Sequence, residues 1–333
     1  MAEISNQSDI KTRKSPNFKI GVITAIITVI AISTQPIISE KRPDVLYPVI
    51  YAIATVLFEN ILIFPLALKH TLNQRKNPSG QLKFTIKKHW WRFLTVGIVF
   101  ALSQIMFFYG FDSSGESAAI SGSIAMKSSI IFTIIIGWIF LKEKASIIQI
   151  IFTAVILVAL VYTLTLGSFR VEEMNIGTLV LFLMPLLWTV GHSVTKPILQ
   201  QGLVKPSQVI FIRTLIGMVL LFSVWLCTYS ISDLVLFLDW SNLLYMFLIG
   251  LSYVIGHYGW YSSIKHIDLA LSSAIQAPQP ILTSFFAWWI LNEPIKFYHY
   301  IGLAVIFTSI LIILYDKNRL ERKINNKKLA TTD

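Results

Sequence analysis

A single cysteine, Cys227, and a low content of charge set the first limits on this chain. One thiol in an apolar run forms no intrachain disulfide and no cysteine metal cluster, so its expected role is packing. Charged residues make up 14% of the 333, too few to cover a soluble domain when 55% are hydrophobic. Catalytic signatures are missing too: there is no HExxH helix, no G-x-S-x-G elbow and no Walker A loop. That leaves no catalytic residue, metal or cofactor to assign, and it argues against direct ATP drive. Acidic residues are scarcer than basic ones, 17 against 28. The resulting net charge of +11 does not imply nucleic acid, because no basic stripe interleaves with aromatics on a soluble element.

What is present is apolar run after apolar run. Mean hydropathy is +0.67, and ten runs stand out, at 18–38, 46–68, 90–110, 117–141, 146–166, 176–195, 207–229, 240–262, 267–291 and 297–315. Each has about the 20 residues that a helix needs to cross roughly 30 Å of hydrocarbon. The expected fold class is therefore an all-α polytopic membrane protein with ten transmembrane helices, its immediate partner being the lipid bilayer. Residues 1–17 and 316–333 are polar and basic and read as disordered tails. The first run is too long for a signal-peptide core and lacks a small-residue cleavage site, so it is expected to stay in the protein.

Most of the 28 lysines and arginines fall before the first run, between 69 and 92, in the other even-numbered connections, and after 315. Only Lys41, Arg42, Arg170 and Lys296 fall in the odd-numbered connections. That bias predicts cytoplasmic N- and C-termini in the cell membrane. Trp90 and Trp91 at one interface and Trp240, Trp288 and Trp289 at the other fit an aromatic belt.

An internal repeat organises the chain. Shifted by 150 positions without a gap, Ser123 meets Ser273, Thr133 meets Thr283, Trp138 meets Trp288, and Glu143 meets Glu293. Thr34-Gln35-Pro36-Ile37 near the end of the first run likewise matches Thr195-Lys196-Pro197-Ile198 near the end of the sixth. An offset of five helices is odd, so equivalent helices cross in opposite directions. The chain divides into inverted five-helix halves, 18–166 and 176–315, an arrangement that places a site near the midplane between them.

Ten helices in two inverted halves, each with an L-x-E turn closing its fourth helix (Leu141-Lys-Glu143 and Leu291-Asn-Glu293), resemble the drug/metabolite transporter superfamily and its EamA-type members. The resemblance spans about residues 18–316 and implies a transporter, identifying a superfamily and no substrate. Lys127-Ser-Ser-Ile-Ile-Phe-Thr133 is also similar to the K-S-x-P-x-F-T segment of sugar-phosphate and nucleotide-sugar carriers, in which this lysine helps to hold phosphate. Here Ile130 stands in place of the proline, and the ninth helix has none of the cations that complete that clamp.

The candidate site follows from charges placed in lipid. Glu59 and Lys127 lie near mid-bilayer, where a charge costs at least about 2.5 to 3.5 kcal/mol, so both must face the interior. Three roles are open: a structural Glu59–Lys127 pair, substrate contact by Lys127, and proton coupling through Glu59. Tyr51, Thr55 and Glu59 share a helix face. Arg213 either snorkels to the headgroups or lines the inner mouth of the cavity. Ser272, Gln276, Gln279 and Thr283 form one polar stripe on the ninth helix, and Pro278 and Pro280 free carbonyls beside it. That stripe reads as either translocation path or interhelical packing. A smaller stripe, Ser117, Ser121 and Ser128, accompanies it on the fourth helix. Tyr258 is a candidate contact for a flat or cationic solute, with core packing as the other reading. His192 and His257 are open between proton relay and a structural hydrogen bond. Glu143 and Glu293 are expected to cap the helices that follow them.

These features predict a secondary transporter, an exporter of a small metabolite, amino acid or drug working by alternating access, with proton coupling open. The alternatives are an anion exchanger of the sugar-phosphate type using Lys127, and a non-transporting receptor or scaffold. Monomer and homodimer are equally compatible with the sequence.

Overall fold

A computed structural model describes residues 17–75, 81–141, 146–267, 272–273 and 275–330. Every regular element among them is helical. α1 is Phe18–Lys41, α2 Pro48–Arg75, and α3 Gln81–Asp112 with a kink at His89. α4 (Ala118–Ala125) and α5 (Ser129–Leu141) are joined by a single 3-10 turn, Met126–Ser128. α6 is Ile147–Leu164, α7 Ile176–Gln200, α8 Pro206–Thr228 and α9 Trp240–His266. α10, Gln279–Phe286, ends in a π turn, Ala287–Leu291, and α11 is Phe297–Ala330. The protein is an all-α, multi-pass membrane protein of two five-helix repeats.

Local sequence sets several of the helix starts. Asn17, Asn175 and Asp239 accept backbone N–H groups of α1, α7 and α9 with their side-chain oxygens. Ser146 and Gln149 cap α6 reciprocally at 3.1 and 3.2 Å. Pro206 opens α8 at the first turn, where its missing N–H costs nothing.

Among the described residues, nine helices are long and apolar enough to cross a membrane. The fourth of these counts α4 and α5 together. The ninth expected crossing, 267–291, is represented by a shorter apolar helix, Gln279–Leu291, preceded by a turn at 276–278. Pro278 and Pro280 explain the interruption, since neither donates a helical hydrogen bond. The other departures are overruns. α2, α3 and α11 continue past the apolar runs, and α11 reaches Ala330, well into the stretch 316–333 expected to be a disordered tail. Lipid limits where a chain must be apolar, whereas Lys, Arg, Leu and Asn-rich polar sequence beyond it can keep helical geometry. Residues 1–16 lie outside the described residues.

Packing follows the pseudo-twofold axis. α1 lies along α9 and, in the mirrored position, α7 lies along α3. α2 on α8, α4 on α10 and α6 on α11 pair each helix with its own repeat mate. The α3–α7 contact is a backbone approach: a Cβ on Gly177 would lie 2.3 Å from the Gly110 carbonyl oxygen. No side chain fits there. The two helix breaks are mates as well, because Met126–Ser128 shifted by 150 gives 276–278. Trp90, Trp91, Trp240, Trp288 and Trp289 are all exposed on the outer surface of the bundle. Cys227, expected in packing, is also exposed.

Candidate functional site

Where the two breaks meet, Lys127 reaches across the repeat interface. Its Nζ donates to the Gln276 carbonyl oxygen at 2.9 Å and to Gln279 Oε1 at 2.8 Å. The turn at 276–278 explains the first bond: the Gln276 carbonyl oxygen accepts the Gln279 N–H at 3.1 Å but, with Pro280 in the next position, has no i+4 donor, which leaves a lone pair for the ammonium. The second fixes the Gln279 amide, since an ammonium can only donate. Around this contact is a cavity of about 90 Å³. Gln35, Lys127, Ser129, Thr133, Thr189, His192, His257, Ser273, Gln276 and Gln279 supply its polar wall, and Phe100, Trp188, Trp260, Ile32 and Ile130 its apolar wall.

A second buried polar group lies beside the cavity. The Arg213 guanidinium donates to Glu59 Oε1 at 2.6 Å, and His257 Nδ1 is 2.8 Å from the same oxygen. Arg213 and Glu59 side chains are each 1% exposed, so the pair is shielded from solvent. Phe100 lies between the two polar groups, its ring 4.2 Å from the Arg213 guanidinium carbon in a cation–π contact. His257 belongs to both groups, bonding Glu59 and lining the cavity. Glu59 therefore pairs with Arg213 and His257 and not with Lys127. Arg213 does not snorkel, because its partner is a carboxylate at the same depth. α2 packs on both α8 and α9, which brings the three residues together.

The ninth-helix stripe divides. Gln276 and Gln279 face the cavity, while Ser272 is buried against Ser263 at 2.8 Å and Thr283 donates to the Ser33 carbonyl oxygen at 3.2 Å. Ser121 bonds His299 at 3.0 Å and Ser128 donates to the Phe182 carbonyl oxygen, so the fourth-helix stripe is packing. Tyr258 packs against a cluster around Tyr261 and Ile264, away from the cavity wall.

Glu293 corrects another expectation. Its two carboxylate oxygens accept the Ala119 and Ile120 N–H groups at 3.1 and 3.2 Å, capping α4 and not the helix that follows it. α11 is capped instead by His299 Nδ1, which accepts the Lys296 N–H at 3.1 Å. Asn292, in the left-handed region at φ 56°, turns the chain back so that Glu293 can reach α4. Burial pushes the Glu293 carboxyl above its usual 4.5, against the two N–H groups that hold it down. Glu143 lies outside the described residues.

Residues that sequence reasoning did not place at the site include Gln35, Phe100, Trp188, Trp260 and Ser273. Gln35 had a signal, a polar side chain beside Pro36 within an apolar run and inside a repeated Thr-x-Pro-Ile motif. The aromatic residues had none, because aromatic side chains occur throughout the spans.

The profile of the EamA-like transporter family matches residues 19–165 and again 175–315. The chain belongs to the EamA-like transporter family. A relative from Methanothermobacter thermautotrophicus, described as an uncharacterized transporter, is 23% identical over 308 residues, 89% of this chain and 86% of its own. The uncharacterized transporter YetK of Bacillus subtilis is 30% identical over 82 residues, 25% of this chain and 24% of its own length. One solved crystal structure aligns with a TM-score of 0.60 at 16% identity, covering 91% of this chain and 98% of the other, and speaks to the fold alone. Each half of the EamA-like match holds one of the two helix breaks. The protein is thus a membrane transporter whose interrupted helices meet at the interface of its repeats.

Proposed function

We propose that this EamA-like protein is a secondary transporter that exports a small metabolite, amino acid or drug by alternating access around the cavity between its two helix breaks. The observation that carries this reading is the pair of bonds from Lys127 across the repeat interface to Gln276 and Gln279. A buried ammonium that bridges inverted repeats and borders open space matches what a substrate site in such a fold requires. Lys127, Gln276 and Gln279 are the binding residues. Ser272 and Thr283 anchor the two sides of the break, Tyr258 packs behind α9, and Arg213 holds Glu59. Export is the direction we propose, and the bias of basic residues supports cytoplasmic termini in the cell membrane. One chain supplies every named residue of the site, which supports a monomer as the smallest transporting unit.

Proton coupling is assigned to Glu59 acting with His257. Among the described titratable groups, His257 both bonds Glu59 and lines the cavity. A proton taken up there changes the charge beside the site without crossing lipid.

Counterflow in proteoliposomes, screened with amino acids, sugar phosphates and cationic dyes, tests the reading. Saturable movement by wild type is expected. Gln276→Ala and Gln279→Ala should each weaken apparent affinity by about 1 to 3 kcal/mol, the scale for an unsatisfied buried polar group. Unaltered transport in both variants would remove the cavity as the site. An exchanger of phosphorylated solutes is the second reading, favoured by the placement of Lys127 in the cavity wall.

A further inference from the structure

We infer that the cavity selects small monocarboxylates. This rests on the transporter reading and names its substrate class. The side-chain amide nitrogens of Gln35, Gln276 and Gln279 are buried without a hydrogen-bond partner, and all three residues line the same cavity. Lys127 has three N–H groups, and two are engaged by the Gln276 carbonyl and Gln279 Oε1. One remains. Four donor nitrogens, from α1, the first break, the second break and the start of α10, therefore belong to residues that line one small space, with no acceptor assigned to them. Buried donors are rarely left unpaired, and such a group marks a place where something else binds.

Charge identifies what fits. A carboxylate brings two oxygens with about four acceptor sites, enough for one N–H from each of these four nitrogens. Its single negative charge balances the single ammonium. No aspartate or glutamate lines the cavity among the described residues, so the ammonium of an amino acid would meet no counter-charge. A phosphate dianion would leave an unbalanced negative charge at mid-membrane, where charge is costly. Phe100, Trp188 and Trp260 give the remaining wall an apolar face, suited to a short uncharged tail. The volume of about 90 Å³ restricts that tail to a few atoms.

The test is a titration of the purified full chain at neutral pH with butyrate, pyruvate, alanine and inorganic phosphate. Tryptophan fluorescence reads binding directly, because Trp188 and Trp260 border the cavity. Butyrate and pyruvate should bind saturably and compete. Lys127→Gln and Gln35→Met should each weaken both by about 10- to 100-fold, the ratio expected for loss of a hydrogen bond to a charged group. Lys127→Arg should restore part of the affinity, and thermal unfolding of each variant checks that it folds. Alanine or phosphate binding as tightly as butyrate would overturn the inference, as would unchanged butyrate affinity in folded Lys127→Gln or no binding of any carboxylate. Counterflow of the same probes separates this inference from the function it rests on. Movement of alanine or phosphate without the carboxylates keeps the transporter and overturns the carboxylate site. Lys127-dependent binding of butyrate with no movement of any probe upholds the site and counts against transport.

Discussion

Replacing Glu59 by glutamine strands a guanidinium in the protein interior. Arg213 and Glu59 are 2.6 Å apart, and each side chain is 1% exposed, so water cannot stand in for the lost carboxylate. Two of the Arg213 nitrogens, Nε and Nη1, already have no hydrogen-bond partner, and the Phe100 ring supplies part of the compensation. Breaking one side of such a pair costs about 3 to 5 kcal/mol, because the remaining charge stays buried. Arg213→Met should cost a similar amount by leaving Glu59 with His257 alone. The double variant, Glu59→Gln with Arg213→Met, should lose far less than the sum of the two, since a neutral pair needs no counter-charge. Thermal unfolding of the purified variants in one detergent, read by loss of the monodisperse peak, supplies the comparison. Additive losses, or a Glu59→Gln variant as stable as wild type, would refute the shielded pair. The double variant then isolates coupling from folding: if Glu59 carries protons, it should still exchange substrate between equal pools while failing to respond to a pH gradient.

Three further outcomes follow from the geometry. Gly177→Ala should separate α3 from α7 and destabilise the protein by about 1 to 3 kcal/mol, the range for overpacking, whereas alanine at Gly202, which has open space around it but φ of +70°, should cost less; equal losses would show that the contact is loose. Glu293→Ala should remove the cap of α4 and cost about 0.5 to 2 kcal/mol in thermal stability. Because burial raises the Glu293 carboxyl in the folded protein, its contribution to stability is complete below the unfolded value and declines as pH rises through the folded value. Glu293→Gln should flatten that decline in unfolding measurements across the mildly acidic range, and an unchanged slope would show that the carboxyl is solvated.

Much of the architecture was legible because membrane helices have a strong signal: long apolar runs, basic loops on one side, and a gapless repeat. Pro278 and Pro280 marked where the ninth helix frees carbonyls, though not that the helix breaks there, and the offset of 150 aligned the fourth helix with that segment. Its mate at Met126–Ser128 had no proline to announce it. The wrong pairing of Glu59 came from depth alone. Two charges at mid-bilayer suggested each other, yet depth says nothing about azimuth, and α2 turns Glu59 toward α8 and α9. Arg213 was assigned to the headgroups or the inner mouth from its position along the helix, when the nearest carboxylate in three dimensions was the deciding factor. Capping was misread for a similar reason. Glu293 follows one helix and precedes another, but its oxygens reach a helix start 173 and 174 residues back in the chain. The helix ends at Arg75 and Ala330 were invisible to hydropathy, which registers lipid contact and not helical geometry.

The central claim is that the space between the two helix breaks is the translocation path. Gln276→Cys tests it most directly, in a background with the exposed Cys227 replaced by serine. The thiol should react with a small membrane-impermeant reagent applied from either side of sealed, oriented vesicles, and a transported solute should protect it from both. Reaction from neither side under any condition, with transport intact, would contradict the account and reduce the polar contact among Lys127, Gln276 and Gln279 to interhelical packing.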